Sequence, residues 1–150
     1  MLALIQRVTR ASVAVEGQVV GAIGAGLLAL VAVEPGDGAA QARRTCERLL
    51  GYRIFEDEHG RMNRCLADTG GGLLLVSQFT LAADTRKGMR PGFSTAADPA
   101  AGLRWFEYLV DLARARHPLV AIGRYGAHMQ VELVNDGPAT FLLAARPDRP

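Results

Sequence analysis

The side chains able to do chemistry gather in two short stretches. The first is Ser77-Gln78-Phe79-Thr80, where an apolar run beginning at Leu73 gives out. A buried polar group without a partner costs on the order of 1–3 kcal/mol. Three polar residues at one strand exit, Ser77, Gln78 and Thr80, therefore mark either a hydrogen-bonded corner or a site. A Ser or Thr nucleophile needs a base within hydrogen-bond reach, normally His or Lys. The three histidines suit that role badly: His59 falls in a charged turn, His117 at a helix end, and His128 on the polar face of an alternating strand. No G-x-S-x-G signature is present. Covalent catalysis thus stands beside a second route, in which backbone amides at the strand exit bind a carbonyl or oxyanion.

The second stretch is Asn135-Asp136-Gly137-Pro138-Ala139-Thr140, between the apolar runs Met129 to Val134 and Phe141 to Ala145. Gly removes the Cβ and opens unusual φ values, and Pro fixes φ near about −65° and removes a donor. Spacing alone reads this as a hairpin turn between two strands. A Gly-Pro pair also leaves a bare backbone surface that could face a ligand. Other clusters carry less. Glu56-Asp57-Glu58 invites a metal, but no well-spaced His or Cys accompanies it, so a solvated turn is expected. Gly70-Gly71-Gly72 is not a phosphate loop, because no GK[ST] follows and the next element is a strand. No cofactor or metal is expected, and Cys46 and Cys65, which form no CxxC pair, suit a reducing compartment.

The elements that position these stretches follow from periodicity. Strands are expected at Leu2 to Val8, at Ser12 to Glu16 and Gln18 to Ile23 around Gly17, and at Leu27 to Val33, the last buried on both faces. Asp37 is a plausible N-cap for a helix that buries Ala42, Cys46, Leu49 and Leu50 and ends near Gly51. Tyr52 to Phe55 reads as a short strand, and Leu73 to Thr80 as a central one. A long polar loop, Ala82 to Ser94, follows; loops of that length are more often functional than idle. Asp98-Pro99 starts a helix whose buried stripe is Leu103, Phe106, Leu109, Val110 and Ala113, ending near His117-Pro118. Leu119 to Gly123, then Met129 to Leu133 in alternation, then Phe141 to Ala145 complete the strands, and Arg146 to Pro150 reads as a frayed tail. The expected fold is a single α+β domain over residues 1–150. In it a mixed, largely antiparallel sheet curls partly into a barrel beside two main amphipathic helices.

With 49% hydrophobic and 21% charged residues, the 150-residue chain has the balance of a soluble globular domain able to bury a core. The apolar run Leu27 to Val33 is too short to span a bilayer. No charged segment leading into an apolar stretch and cleavage site is seen, so a cytoplasmic, non-membrane protein is expected. The net charge of +2 permits an RNA partner without demanding one. Lys87 is the only lysine among the 17 basic residues, a bias that points to genome composition rather than phosphate recognition.

Val76-Ser77-Gln78-Phe79-Thr80-Leu81, followed by Asn135-Asp136-Gly137-Pro138-Ala139-Thr140, resembles the paired signatures of the D-aminoacyl-tRNA deacylases. Ile5-Gln6-Arg7-Val8, Arg53-Ile54-Phe55 with Gly60-Arg61-Met62-Asn63, Ala82-Ala83-Asp84-Thr85-Arg86-Lys87-Gly88 and Met129-Gln130-Val131 extend the match over most of the chain. The resemblance implies an editing hydrolase that cleaves the ester of D-aminoacyl-tRNA, and of glycyl-tRNA, while rejecting L-aminoacyl-tRNA. It implies a homodimer in which the cis Gly137-Pro138 of one subunit enters the other's site and selects chirality. Ser77, Gln78, Phe79 and Thr80 would line the ester, with the amides of Phe79 and Thr80 as oxyanion donors and Gln78 on the terminal ribose. Thr80 as nucleophile competes with a water assisted by the substrate's 2′-hydroxyl, which needs no side-chain base. Arg7, Met129 and Asn135 are the implied supporting residues, and Lys87 and Arg90 the tRNA contacts. Two positions depart from the family pattern, Gly92 for Ser and His128 for Asp. A catalytically silent dimeric RNA-binding module and a Thr80-dependent esterase of small metabolites are the alternatives.

Overall fold

The computed structural model describes residues 1–147. Its spine is β1 (Leu2–Val15), one continuous strand where the sequence suggested two. Gly17 (φ +77) turns it into β2 (Gln18–Ile23), which returns antiparallel with Val15 opposite Gln18. The first half of β1 pairs antiparallel with β3 (Gly26–Ala32), Leu2 lying opposite Ala32 and Val8 opposite Gly26. The sheet then continues in parallel through β6 (Gly72–Ser77) and β7 (Val120–Ile122). Along its other edge β1 carries β8 (Gln130–Ala144), antiparallel over nearly its whole length. Two short strands, β4 (Phe55–Glu56) and β5 (Met62–Arg64), form a separate ribbon, so Tyr52 to Ile54 are not strand as expected.

The sheet is curled nearly into a barrel. β2 comes round against β7 so closely that a Cβ on Gly21 would run into Ile122 O. Alternation then sorts the apolar side chains into two clusters. Leu27, Ala29, Val31, Leu73 and Leu75 face the helices, while Leu28, Leu74, Val76, Val8 and Val13 fill the inside of the curl. β3 and β6 are therefore buried on both faces, as continuous apolar runs should be.

Three helices cover the outer face or connect to it. α1 (Ala39–Gly51) buries Ala42, Thr45, Cys46, Leu49 and Leu50. Its cap is Gly38, not Asp37 as expected. The Asp37 carboxylate is taken by the buried Met1 ammonium at 2.7 Å, and Gln41 Oε1 accepts from Gly38 N at 2.9 Å instead. A four-residue helix, α2 (Leu66–Thr69), had no sequence signal beyond Leu66 and Asp68, and Asp68 Oδ2 accepts from Cys65 N. α3 (Pro99–Arg116) starts as expected, Asp98 Oδ1 accepting from Ala101 N at 3.0 Å, a cap of the kind worth about 1 kcal/mol. Its buried stripe is Gly102, Phe106, Leu109, Val110 and Ala113, and Leu103 stays exposed. Gly102 takes the inner position because a Cβ there would strike the Tyr125 hydroxyl. At the far end Arg146 Nη2 lies 3.5 Å from Glu34 Oε1; residues 148–150 of the expected tail lie outside the described residues.

Candidate active site

The first stretch splits at the strand end. β6 stops at Ser77, and Phe79–Ala82 wind into a 3₁₀ turn, so Thr80 is not a strand residue as expected. Gln78 makes the corner: its N–H donates to Val31 O at 2.7 Å, and its O accepts from Leu81 N at 3.2 Å. Its side-chain amide donates to Thr80 Oγ1. The N–H groups of Phe79 and Thr80 open the 3₁₀ turn and find no acceptor among the described residues, as the first amides of a helical turn do not.

Beside this corner lies a cavity of about 410 Å³ at the mouth of the inner apolar cluster. Ser77, Gln78 and Phe79 form one wall, and His128, Met129 and Val131 form another, with Tyr125 and Pro99 closing the side. Met129 is held there by its sulfur, which accepts from Arg124 N at 3.3 Å. Thr80 is exposed and does not line the cavity. His59 is exposed in its turn, and His117 is buried against Gly71 O at 2.6 Å, which removes both from the site. The exposed His128 sits at the cavity rim just ahead of β8, which begins at Gln130, so it is not a strand residue as expected.

The second stretch is not a hairpin turn. β8 runs straight through it, and the residues bulge out of one strand. Gln6 pairs Thr140 and Val8 pairs Asn135, so two steps along β1 face five along β8. A bulge of this kind re-aims backbone without ending the strand. The Gly137-Pro138 peptide is cis, and both residues are exposed. Their support is dense. Buried Arg7, in the middle of β1 rather than at a strand end, donates from Nε to Asp136 O at 3.0 Å and from Nη1 to Ile54 O at 2.8 Å. Asn135 Oδ1 accepts from Ala139 N at 3.0 Å, while its Nδ2 donates to Thr140 Oγ1 at 2.7 Å. Gly137 has φ +129, and a Cβ there would lie 2.8 Å from Arg7 Nη2.

Within one chain the two stretches do not meet. Ser77 is level with Val31, and Val31 with Ala3. The bulge is level with Gln6 to Val8, at the other end of β3 and β6. Ala3 and Arg7 are about 14 Å apart at a strand rise of ~3.4 Å per residue. Three strand spacings of about 4.8 Å separate β6 from β8 across the sheet.

Lys87 and Arg90 stand on the loop that leaves the corner, whose Phe93 ring packs 5.2 Å from that of Phe79. Both basic residues are exposed, and Asp84 and Gly92 close the loop by a two-way backbone bridge of 2.7 and 3.0 Å. Asp84 also binds Arg86 through both carboxylate oxygens, at 2.9 and 2.8 Å, and these bonds hold its carboxyl down at about 2. A Cβ at Gly92 would sit 3.8 Å from Asp84 O, ordinary contact, so the departure there does not open the loop. Among the described residues no three His, Cys, Asp or Glu side chains group as metal ligands, and no helix is long and apolar enough to cross a membrane.

Residues 4–144 match the family model for D-Tyr-tRNA(Tyr) deacylase. A protein of Methylococcus capsulatus called D-aminoacyl-tRNA deacylase is 69% identical over 150 residues, covering 100% of this chain and 98% of the relative. One of Azotobacter vinelandii with the same name is 66% identical, covering 97% of this chain and 100% of its own. A solved structure described as a c-Myc DNA unwinding element binding protein superimposes with a TM-score of 0.94 at 35% identity, covering 98% of this chain and 100% of that one. A probable eukaryotic D-amino acid tRNA deacylase shares the fold, with a TM-score of 0.79 at 16% identity, covering 95% and 97%. The two signatures thus stand in a chain matched almost end to end, and the protein belongs to the D-Tyr-tRNA(Tyr) deacylase family.

Proposed function

We propose that this protein hydrolyses the ester of D-aminoacyl-tRNA, and of glycyl-tRNA, with one copy's Gly137-Pro138 bulge completing the cavity of another. The observation that carries the reading is the pair of free amides at Phe79 and Thr80 beside a cavity whose histidine, His128, stands at the rim and bonds to neither Ser77 nor Thr80 among the described residues. Deacylation builds negative charge on the ester carbonyl oxygen, and two preorganised N–H groups stabilise it without a proton transfer. Ser77 and Gln78 orient the acyl end and the terminal ribose. Attack comes from a water, assisted by the substrate's own 2′-hydroxyl. Thr80 is a poor nucleophile here: its oxygen already accepts from the Gln78 amide, and no histidine or lysine bonds to it.

Chirality is read by backbone. A bulge with no Cβ at Gly137 can approach the substrate α-carbon closely, so an L side chain meets main chain while a D side chain points away. Glycine, with nothing to exclude, is accepted. The distance between bulge and cavity within one chain supports selection in trans, by a homodimer.

D- and L-tyrosyl-tRNA offered to the purified protein test the reading. Turnover of the D form alone is expected; equal rates or cleavage of only the L form sink it. Tight tRNA binding with no turnover would favour a silent RNA-binding module instead.

A further inference from the structure

The proposed chemistry uses the main chain of Phe79 and leaves its ring unaccounted for. That ring is 58% exposed and packs against Phe93, itself 43% exposed, the centroids 5.2 Å apart and the planes inclined at 54°. Two phenyl rings left facing water forgo the burial that stabilises such side chains in a core. They are nevertheless firmly placed. Gly92, just before Phe93, exchanges two backbone bonds with Asp84, at 2.7 and 3.0 Å, and Phe93 O accepts from Ala96 N at 3.1 Å. The Thr95 hydroxyl donates to Ala82 O at 2.6 Å, tying the far side of the loop back to the 3₁₀ turn that Phe79 opens. Phe79 also lines the cavity, so the ring pair continues the cavity wall outward along the surface.

Charge says what such a surface would hold. From Asp84 to Gly92 the loop carries four charged side chains, and Asp84 and Arg86 satisfy each other at 2.9 and 2.8 Å. Lys87 and Arg90 remain, exposed and with no hydrogen-bond or ion-pair partner among the described residues. No acidic residue follows until Asp98, whose carboxylate caps α3. Exposed rings beside unpaired cations suit a polyanion that also has flat faces. Proteins that hold single-stranded nucleic acid combine these two features.

We infer that the Phe79 and Phe93 rings form a stacking site for the base of the nucleotide that precedes the terminal adenosine, with Lys87 and Arg90 beside it for the backbone phosphates. This rests on the deacylase reading, which puts the terminal nucleoside in the cavity. Phe93 thereby becomes a positioning residue outside both signatures. Every base has a π face, so the site holds the strand without reading its sequence. The acyl chemistry, built on the main chain of the corner, is not touched.

The test uses an RNA hairpin with a short single-stranded 3′ end that terminates in adenosine and carries a D-amino acid through a non-hydrolysable 3′-amide. A second RNA is abasic at the nucleotide before that adenosine. The wild type should bind the abasic RNA about five- to twentyfold more weakly. Phe93→Leu keeps an apolar contact for Phe79 but offers no flat face. It should weaken binding of the intact RNA by the same factor and lose nothing further on the abasic one. Phe93→Trp should restore the wild-type Kd within about twofold. Replacing Lys87 and Arg90 together by Gln should make the slope of log Kd against log salt shallower by about 1.4, or about 0.7 for each phosphate contact on a single strand. A 3′-D-aminoacyl-adenosine, which ends before the rings, should be hydrolysed by wild type and Phe93→Leu at rates within about twofold. Equal affinity of the wild type for the two RNAs overturns the inference. So does an equal loss for Phe93→Leu on both RNAs or on the single nucleoside, or a salt slope that the double substitution leaves unmoved. Because the amide Kd needs no turnover, absence of hydrolysis would sink the deacylase reading alone. Turnover with no penalty for the missing base would sink this inference alone.

Discussion

The bulge at Gly137-Pro138 and the corner at Ser77 to Thr80 are built in opposite ways. The bulge is exposed, and beside the local Asn135 bonds its braces are long-range: Arg7 from the middle of β1, the Ile54 carbonyl on the other side of that arginine, and the β1 pairing above and below. The corner is held by neighbours. Gln78 bonds Thr80 and Leu81, and its N–H ties it to Val31 on β3. The difference fits the two tasks. A surface that selects by exclusion must not yield, whereas a corner that binds a developing oxyanion needs free amides. Each element is rigid where the proposed chemistry requires it.

Arg7→Ala strikes the larger part of that comparison. One buried and one part-buried charge-assisted bond disappear, for a loss of about 3–5 kcal/mol in unfolding free energy, read by denaturant titration. Discrimination between D- and L-aminoacyl-tRNA should fall with it, by at least about tenfold, or about 1.4 kcal/mol. A variant as stable as the wild type would mean that the arginine does not brace the bulge.

Gly137→Ala is narrower. At φ +129 an alanine is strained, and its Cβ meets Arg7 Nη2. The expected cost is about 1–3 kcal/mol. Its chiral discrimination should drop while hydrolysis of the D substrate is largely kept, because the corner is untouched. An unchanged ratio of D to L rates would remove the bulge from selection.

Much of this was legible in residue types. The two-faced burial of β3 and β6 followed from unbroken apolar runs, and the start of α3 from Asp98-Pro99. What failed were local readings overridden by distant partners. Asn135 to Thr140 has every mark of a hairpin turn, but β1 continues past it and turns the excess residues into a bulge. Asp37 looks like a cap and is claimed by the Met1 ammonium. Arg7 looks like a strand-end arginine, and only the pairing of β1 on both edges shows that it is buried. The roles of the site stretches came from resemblance. The separation of the two within one chain came only from register.

Thr80→Ala sharpens the corner. Removing a true nucleophile costs on the order of 10⁶-fold in kcat. With a water attacking instead, the loss should be about tenfold or less, from the missing tie to the Gln78 amide. Single-turnover rates at saturating enzyme separate these outcomes widely. Complete loss with unaltered substrate binding would return the nucleophile to Thr80.

The smallest effect concerns the loop that leaves the corner. Asp84 closes it twice, by backbone to Gly92 and by carboxylate to Arg86. Its folded carboxyl titrates at about 2, below the ordinary value of about 3.9. A depressed carboxylate stabilises the folded loop at every pH above the ordinary value, and that contribution fades as pH falls through about 2. The carboxylate is half-buried and its partner Arg86 is exposed, so solvent screening keeps the effect small. Asp84→Asn should speed hydrogen exchange at the Gly92 amide at neutral pH, and the difference from wild type should shrink as pH falls toward about 2. Because Gly137, Pro138 and Arg7 do not touch this loop, its loosening should change turnover by less than about twofold and leave chiral discrimination alone. A shift in the D-to-L ratio would show that the corner and the bulge are not independent.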